Sequence, residues 1–230
     1  MSNFRTGKLI AVLAGKVREH PPHAEDPAFN RPWRSAFIKE PISGPAKILQ
    51  LGLELDEVAN KDVHGGLDQS VLAYPFSHYQ LWQQELGIKE MGPGGFGENL
   101  CIHGFNEQMV CIGDSFKVGQ AVLQVSLPRL PCSSIDRRWL RSGLVKRVAE
   151  TQRTGWYFRV LEEGSCRASD QVALIERKHP QWTVARVLEL RLKGKQLQGK
   201  EASNLARCQE LAAHWRHHFE QHREDTGIGL

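Results

Sequence analysis

The chain has 230 residues, 40% of them hydrophobic and 24% charged, with a formal net charge of +4. That size and balance fit one medium domain with an appendage, or two small domains, with enough chain to bury a sizeable core. The charge is too small to argue for nucleic acid, and no aromatic-basic motif accompanies it, so no stable nucleic-acid partner is expected; a mildly basic chain does suit an anionic ligand such as a phosphate.

The apolar run at 9–14 is too short for a membrane span and lacks a signal-peptide cleavage pattern, so a cytoplasmic protein without a membrane partner is expected. Residues 8–14 read as a strand. Residues 20–32 hold four prolines among mixed charges and read as a surface loop. Residues 46–55 read as a strand, a turn at Gly52 and a second short strand. A short strand follows at 69–74. Pro75 suits the first position of a helix, and Phe76, Tyr79, Trp82 and Leu86 recur at helical spacing, so an amphipathic helix is expected over 75–86 with Gly87 as its stop. Residues 91–97 hold four glycines and a proline and form a loop. Short strands follow at 99–102 and 115–118. Residues 121–127 alternate, with Ala121, Leu123, Val125 and Leu127 on one face, which predicts a half-buried strand.

Leu140, Leu144, Val145 and Val148 predict a helix over 137–152, followed by strands at 155–161 and 171–175. Beyond that the chain turns helical. Thr183 can cap a helix that carries Val184, Val187, Leu188 and Leu192 and stops at Gly194; a polar linker spans 195–200; a second amphipathic helix is expected over 201–223. Short strands with glycine turns favour a closed or nearly closed barrel. The expected fold is therefore α+β, a strand-rich barrel-like domain over 1–176 with a small helical extension over 177–230.

Five cysteines, Cys101, Cys111, Cys132, Cys166 and Cys208, are odd in number and widely spaced, without a CxxC pair. This excludes a zinc ribbon and argues for reduced thiols rather than a disulfide framework. Neither GxxxxGK[ST] nor HExxH occurs, which removes two common enzyme classes.

Four constellations can carry chemistry. Pro128-Arg129-Leu130-Pro131-Cys132 places a thiol on a proline-stiffened turn at a strand end, where Arg129 favours the thiolate; the plain alternative is a small buried side chain. Lys61-Asp62-Val63-His64-Gly65-Gly66-Leu67-Asp68 combines anion donors with a diglycine that lets backbone approach a ligand, against the alternative of a solvated turn. Gly94-Gly95-Phe96-Gly97-Glu98-Asn99 can form a backbone-lined wall or a plain loop. His214, His218 and His222 share one helix face, but no thiolate or carboxylate joins them, so a surface helix is favoured over a metal site.

Taken together and in this order, these residues resemble a known family. His64-Gly65-Gly66-x-Asp68, with Val71 to Pro75 and His78-Tyr79, resembles the histidine-glycine-glycine signature of MOSC domains, named for the C-terminal domain of molybdenum cofactor sulfurase. Phe96 to Leu100 is similar to the second family motif, and Val125-Ser126-x-Pro128-Arg129-x-Pro131-Cys132 to the third, which carries the cysteine. Weaker similarities lie at Trp33-x-Ser35-Ala36-x-x-Lys39 and Gly52-Leu53-Glu54. The match covers roughly 8–175, and Thr154 to Tyr157 with Trp182 to Val184 resemble the stand-alone bacterial branch with a helical extension. Leu55 stands where the family usually has glycine, and Ser134 where it often has lysine.

The resemblance implies a molybdopterin-type molybdenum cofactor with Cys132 as the metal ligand, a soft thiolate suited to that metal. Arg34, Ser35, Lys39, Lys61, Gly65, Gly66, Gly97, Glu98, Asn99 and Arg129 become the implied cofactor-binding residues, and Cys132, His64 and Asp68 the catalytic ones. The implied reaction is reductive N–O cleavage of small N-hydroxylated compounds, including hydroxylaminopurine-type bases. No flavin or haem motif is visible, so a separate flavoprotein is expected as electron donor; the assembly is left open, a homodimer included. The alternative within the family is a sulfur carrier or cofactor-binding module without redox chemistry.

Overall fold

The computed structural model describes residues 5–61, 64–193 and 199–222. The apolar segment near the start forms β1 (Thr6–Ala14) and buries Leu9, Val12 and Leu13. β2 (Arg18–His20) and β3 (Trp33–Ser35) pair across the proline-rich loop. β4 (Glu40–Pro41) extends the end of β1. β5 (Ala46–Leu49) and β6 (Gly52–Leu53) make the expected hairpin, with the turn on Gln50 and Leu51 and Gly52 already in the second strand.

β7 (Val71–Pro75) absorbs Pro75 as its last residue, and α1 (Ser77–Leu86) starts two positions later than expected. Gly87 ends it as expected. It takes a left-handed conformation at φ 70°, which glycine adopts without a Cβ penalty, and its N–H donates to the Gln83 carbonyl at 3.0 Å.

β8 (Leu100–His103), β9 (Ser115–Val118) and β10 (Ala121–Pro128) come next. The expected single helix after β10 is two, α2 (Ser134–Trp139) and α3 (Leu144–Thr151). Between them Leu140 and Gly143 are left-handed, at φ 49° and 87°. The Asp136 carboxylate accepts the N–H groups of Gly143 at 3.1 Å and Val145 at 2.7 Å, so it satisfies the free donors at the start of α3. β11 (Trp156–Glu162), β12 (Gly164–Cys166) and β13 (Gln171–Glu176) complete the strands.

Seven strands close into a ring in the order β1-β13-β9-β10-β11-β7-β8 and back to β1. Only β7 and β8 run parallel. A parallel pair cannot be joined by a tight turn, and residues 76–99, with α1, make the crossover. The fold is thus α+β with a closed barrel, as the sequence implied.

The helical region contains α4 (Val184–Leu192), α5 (Lys200–Ala206) and α6 (Ala213–Glu220). Thr183 caps α4 by accepting the Arg186 N–H at 3.1 Å. Gly194, residues 195–198 of the expected linker and Arg223 lie outside the described residues. The expected last helix is interrupted between α5 and α6, where Cys208, Leu211 and Ala212 are buried and the Ala212 N–H donates to the Ser126 carbonyl of β10 at 3.0 Å. This packing also corrects the expectation of a half-buried β10, since all eight of its residues are buried. Its second face, with Val122, Gln124 and Ser126, is covered, and barrel and helices share one apolar cluster that includes Leu123, Val125, Leu188, Trp215 and Phe219. Among the described residues no helix is long and apolar enough to cross a membrane.

Trp215 is 1% exposed within that shared cluster. Trp215→Ala should cost about 3–5 kcal/mol and lower the urea midpoint of the whole barrel in one transition; a separate early transition of the helices alone would contradict the shared core.

Candidate functional site

β10 ends at Pro128, where the barrel ladder gives way to a turn. The Arg129 N–H still reaches the Gly155 carbonyl at 3.2 Å, and the Cys132 carbonyl accepts the Ile135 N–H at 3.0 Å at the start of α2. Cys132 is thereby fixed between a strand end and a helix start, half-buried, at the wall of a cavity of about 220 Å³. The other four cysteines are buried. Loss of solvent pushes the Cys111 thiol up to about 11 and the Cys166 thiol up to about 12, and it raises Cys101 further still. Cys132 is the one cysteine that lines this cavity.

Arg129 lies beneath it, 3% exposed. Its Nη2 sits 3.8 Å from the Cys132 sulfur and 3.5 Å from the Phe96 carbonyl. Its Nη1 is buried without a partner, and among the described residues it is the one such nitrogen on a cavity-lining side chain. A buried donor without an acceptor costs about 1–3 kcal/mol, so this nitrogen favours an acceptor arriving from the cavity.

Opposite, Lys39 is paired with Asp56 and both are largely buried. Burial lowers the Lys39 pKa, against which the Asp56 charge and hydrogen bond hold the proton. Asp56 also accepts the Gly15 N–H at 2.7 Å and the Asn99 amide at 2.8 Å. Asn99 bonds across two strands as well: its Oδ1 accepts the Leu72 N–H at 3.1 Å and its Nδ2 donates to the Leu13 carbonyl at 3.3 Å. Lys39 is therefore a neutralised group of the wall, while Arg129 carries a positive charge with no carboxylate beside it among its hydrogen-bond partners.

The glycine loop forms another wall. Gly97 has φ 75°, and a Cβ there would stand 2.7 Å from the Phe37 ring, so no side chain fits. Glu98 is fully buried behind the loop, where it accepts the N–H of Gly94 at 2.7 Å, the N–H of Phe96 at 3.2 Å and the Tyr79 hydroxyl. Burial raises its pKa, and those donors oppose the shift.

His64 stands at the rim; desolvation, then the Arg129 charge, lower its pKa, so its ring is neutral at pH 7. Arg34, Ser35 and Gly65 also line the cavity. The structure thus brings together Cys132, His64, Arg34, Ser35, Lys39, Gly65, Gly97, Asn99 and Arg129.

Four expected residues are not part of the lining. Glu98 holds the loop from behind. Asp68 is ion-paired with Arg159 at 2.7 Å, and its carbonyl accepts the Ser126 hydroxyl at 2.6 Å, so it pins residues 67–69 to the barrel rather than facing the cavity. Gly66 precedes that short helix, and Lys61 is exposed outside the lining. Conversely, Asp56, Tyr157, Gln69 and Phe37 line the cavity without having been singled out; Asp56 had a signal, two residues after the Gly52-Leu53-Glu54 similarity. Of the three C-terminal histidines, His218 and His222 lie ring against ring with centroids 4.6 Å apart, but among the described residues the three form no ligand group, and the Arg191 guanidinium 3.3 Å from His218 Nε2 makes a poor place for a cation.

Residues 60–173 match the MOSC domain. Protein YiiM of Escherichia coli (strain K12) is 34% identical over 171 residues, 73% of this chain and 72% of that protein. The uncharacterized protein YflK of Bacillus subtilis (strain 168) is 37% identical over 143 residues, and a protein named "Reductase" from Gibberella moniliformis is 34% identical over 186 residues; the chain spans 64% and 32% of their respective lengths. Among solved structures, YiiM from Geobacillus stearothermophilus superposes with a TM-score of 0.75 at 27% identity, covering 95% of this chain and 99% of that one.

Because desolvation is the main cause of the His64 shift and Arg129 the second, Arg129→Met should raise the His64 titration midpoint in an NMR pH series yet leave it below about 6.5. With the folded midpoint below the unfolded one, this histidine favours the folded state above the unfolded midpoint, and that share is lost as pH falls.

Proposed function

As this chain belongs to the MOSC-domain family, we propose that it is an oxidoreductase that holds a molybdopterin-type cofactor through Cys132 and reduces small N-hydroxylated compounds. The observation that carries the reading is the pair of Cys132 and Arg129 in one cavity: a partly accessible soft donor beside a buried guanidinium whose Nη1 has no acceptor. The donor set fits the group, because a thiolate suits the metal and buried cationic donors suit an anionic pterin phosphate and dithiolene. The fungal relative named "Reductase" supports the redox class.

Bound at Cys132, such a cofactor supplies two-electron chemistry that cleaves N–O: a hydroxylamino group, two electrons and two protons give an amino group and water. The chain's own residues do the rest. Arg129 directs its Nη2 at the sulfur and meets negative charge in the cavity. Arg34 and Ser35 offer the donors for the phosphate, with Gly65 backbone beside them. Lys39 and Asp56, through Asn99, keep the wall rigid and electrically balanced. His64, neutral at the rim, passes protons between solvent and substrate; Asp68 has no part in this because Arg159 holds it. Electrons come from a separate flavoprotein.

The test is molybdenum and pterin analysis of protein made in a cofactor-competent host, wild type beside Cys132→Ser, with hydroxylaminopurine reduction assayed in parallel. Near-stoichiometric molybdenum in the wild type, with at least a tenfold loss of both metal and activity in the variant, is expected. Full metal and activity in Cys132→Ser would overturn the assignment, and a persulfide on Cys132 with no molybdenum in the wild type would put the sulfur-carrier role in its place.

A further inference from the structure

Outside the cavity, three donors of different chemistry meet where the helical region joins the barrel. His179 follows β13, and Cys208 and Glu210 lie in the break between α5 and α6. One ligand atom from each, His Nε2, Cys Sγ and a carboxylate oxygen, lies within 4.8 Å of the other two, and among the described residues this is the one such group. The imidazole Nε2 is 2.8 Å from Glu210 Oε2. None of the three lines the cavity at Cys132.

The geometry points to a mononuclear site for a divalent first-row metal, zinc foremost, ligated by His179 Nε2, Cys208 Sγ and Glu210 Oε2 with a fourth position for water. Imidazole, thiolate and carboxylate together suit zinc, and three protein ligands leave one open corner of a tetrahedron.

The surroundings favour this use. Lys178 Nζ binds the other carboxylate oxygen, Oε1, at 3.2 Å, which aims Oε2 at the histidine. The Leu211 N–H donates to the Cys208 carbonyl at 3.1 Å, a tight turn that fixes Cys208 beside Glu210. Gly113, at φ 80°, closes the other side: a Cβ there would stand 3.0 Å from Glu210 and 3.2 Å from the His179 ring, so glycine leaves room for the cluster.

Binding replaces protons with the metal. Cys208 releases its proton to solvent, and the Nε2 proton that now bridges His179 and Glu210 moves to Nδ1 or to solvent. No electron changes hands, and affinity rises with pH. The metal would tie the segment after β13 to the α5–α6 break, two points 29 residues apart in sequence, and so clamp the helices onto β10.

Cobalt(II) serves as the probe, titrated into apo protein in a Cys132→Ser background so that the cavity thiol cannot compete. One equivalent should bind with a thiolate-to-cobalt charge-transfer band that zinc abolishes by displacement. Cys208→Ser should lose the band, and Glu210→Gln and His179→Gln should each weaken binding at least tenfold. At a hundredfold excess over its Kd, zinc should raise Tm by about 5–10 °C in the Cys132→Ser protein, and that rise should vanish in Glu210→Gln. Far-UV circular dichroism of each apo variant checks folding; if Cys208→Ser does not fold, Glu210→Gln decides. Cobalt binding without the charge-transfer band, or affinities within threefold across the variants, would overturn the site.

Discussion

A barrel that closes through one parallel strand pair must carry its chain from the end of one strand back to the start of the next, and the cavity is built from that journey. Between β7 and β8, α1 buries Tyr79 and Trp82, and Phe96 stacks on Tyr74 at 4.5 Å with the rings 12° apart. Glu98, buried under the glycine turn, gathers two backbone N–H groups and a phenol hydroxyl, so a loop that is mostly glycine has one conformation to adopt. Asn99 then closes the seam with its side chain between β1, β7 and Asp56. A buried amide with its donors and acceptor engaged on both sides of a seam specifies register as well as stability, because any slip leaves several polar groups unpaired.

Two buried cations are treated in opposite ways a short distance apart on the cavity wall. Lys39 has its carboxylate in Asp56, so its charge is cancelled locally. Arg129 has a carbonyl and a sulfur for company, and one nitrogen with nothing. A fold selected for stability alone would spend its carboxylates on the less solvated guanidinium. Leaving that charge uncompensated next to the accessible cysteine gives the cavity a fixed positive pole, set in place before any ligand arrives.

Local chemistry was readable where it is written in neighbouring residues. The prolines around Cys132, the stop at Gly87 and the cap at Thr183 act within a few positions, and each does what its residue type predicts. Motif order, rather than any one motif, carried the family and most of the cavity lining. What failed depends on partners distant in sequence. β10 alternates like a strand with one wet face, yet residues 67–69, Arg159 and the later helical region cover that face. Asp68 looked like a free acid until Arg159 was folded beside it, and Glu98 sat in a binding motif but turned inward to its own loop. Asp136 breaks a helix whose periodicity runs straight through the break. A charged residue near a motif turns away from the ligand side when a buried backbone donor or a distant arginine claims it.

The pairing of β1 with β13 sets Thr6 against Ala173 and Lys8 against Gln171. On the ribosome, the strand made first must therefore wait for one of the strands made last. At synthesis rates of roughly 5–20 residues per second, that interval is on the order of ten to thirty seconds. Only in the latter part of it, once β8 has been made, can β1 pair on one side, while its other edge, destined for β13, keeps its N–H and C=O groups exposed. Contacts this long in sequence slow folding. The nascent chain is thus most vulnerable to self-association late in its synthesis, when nearly every strand exists but the ring is still open.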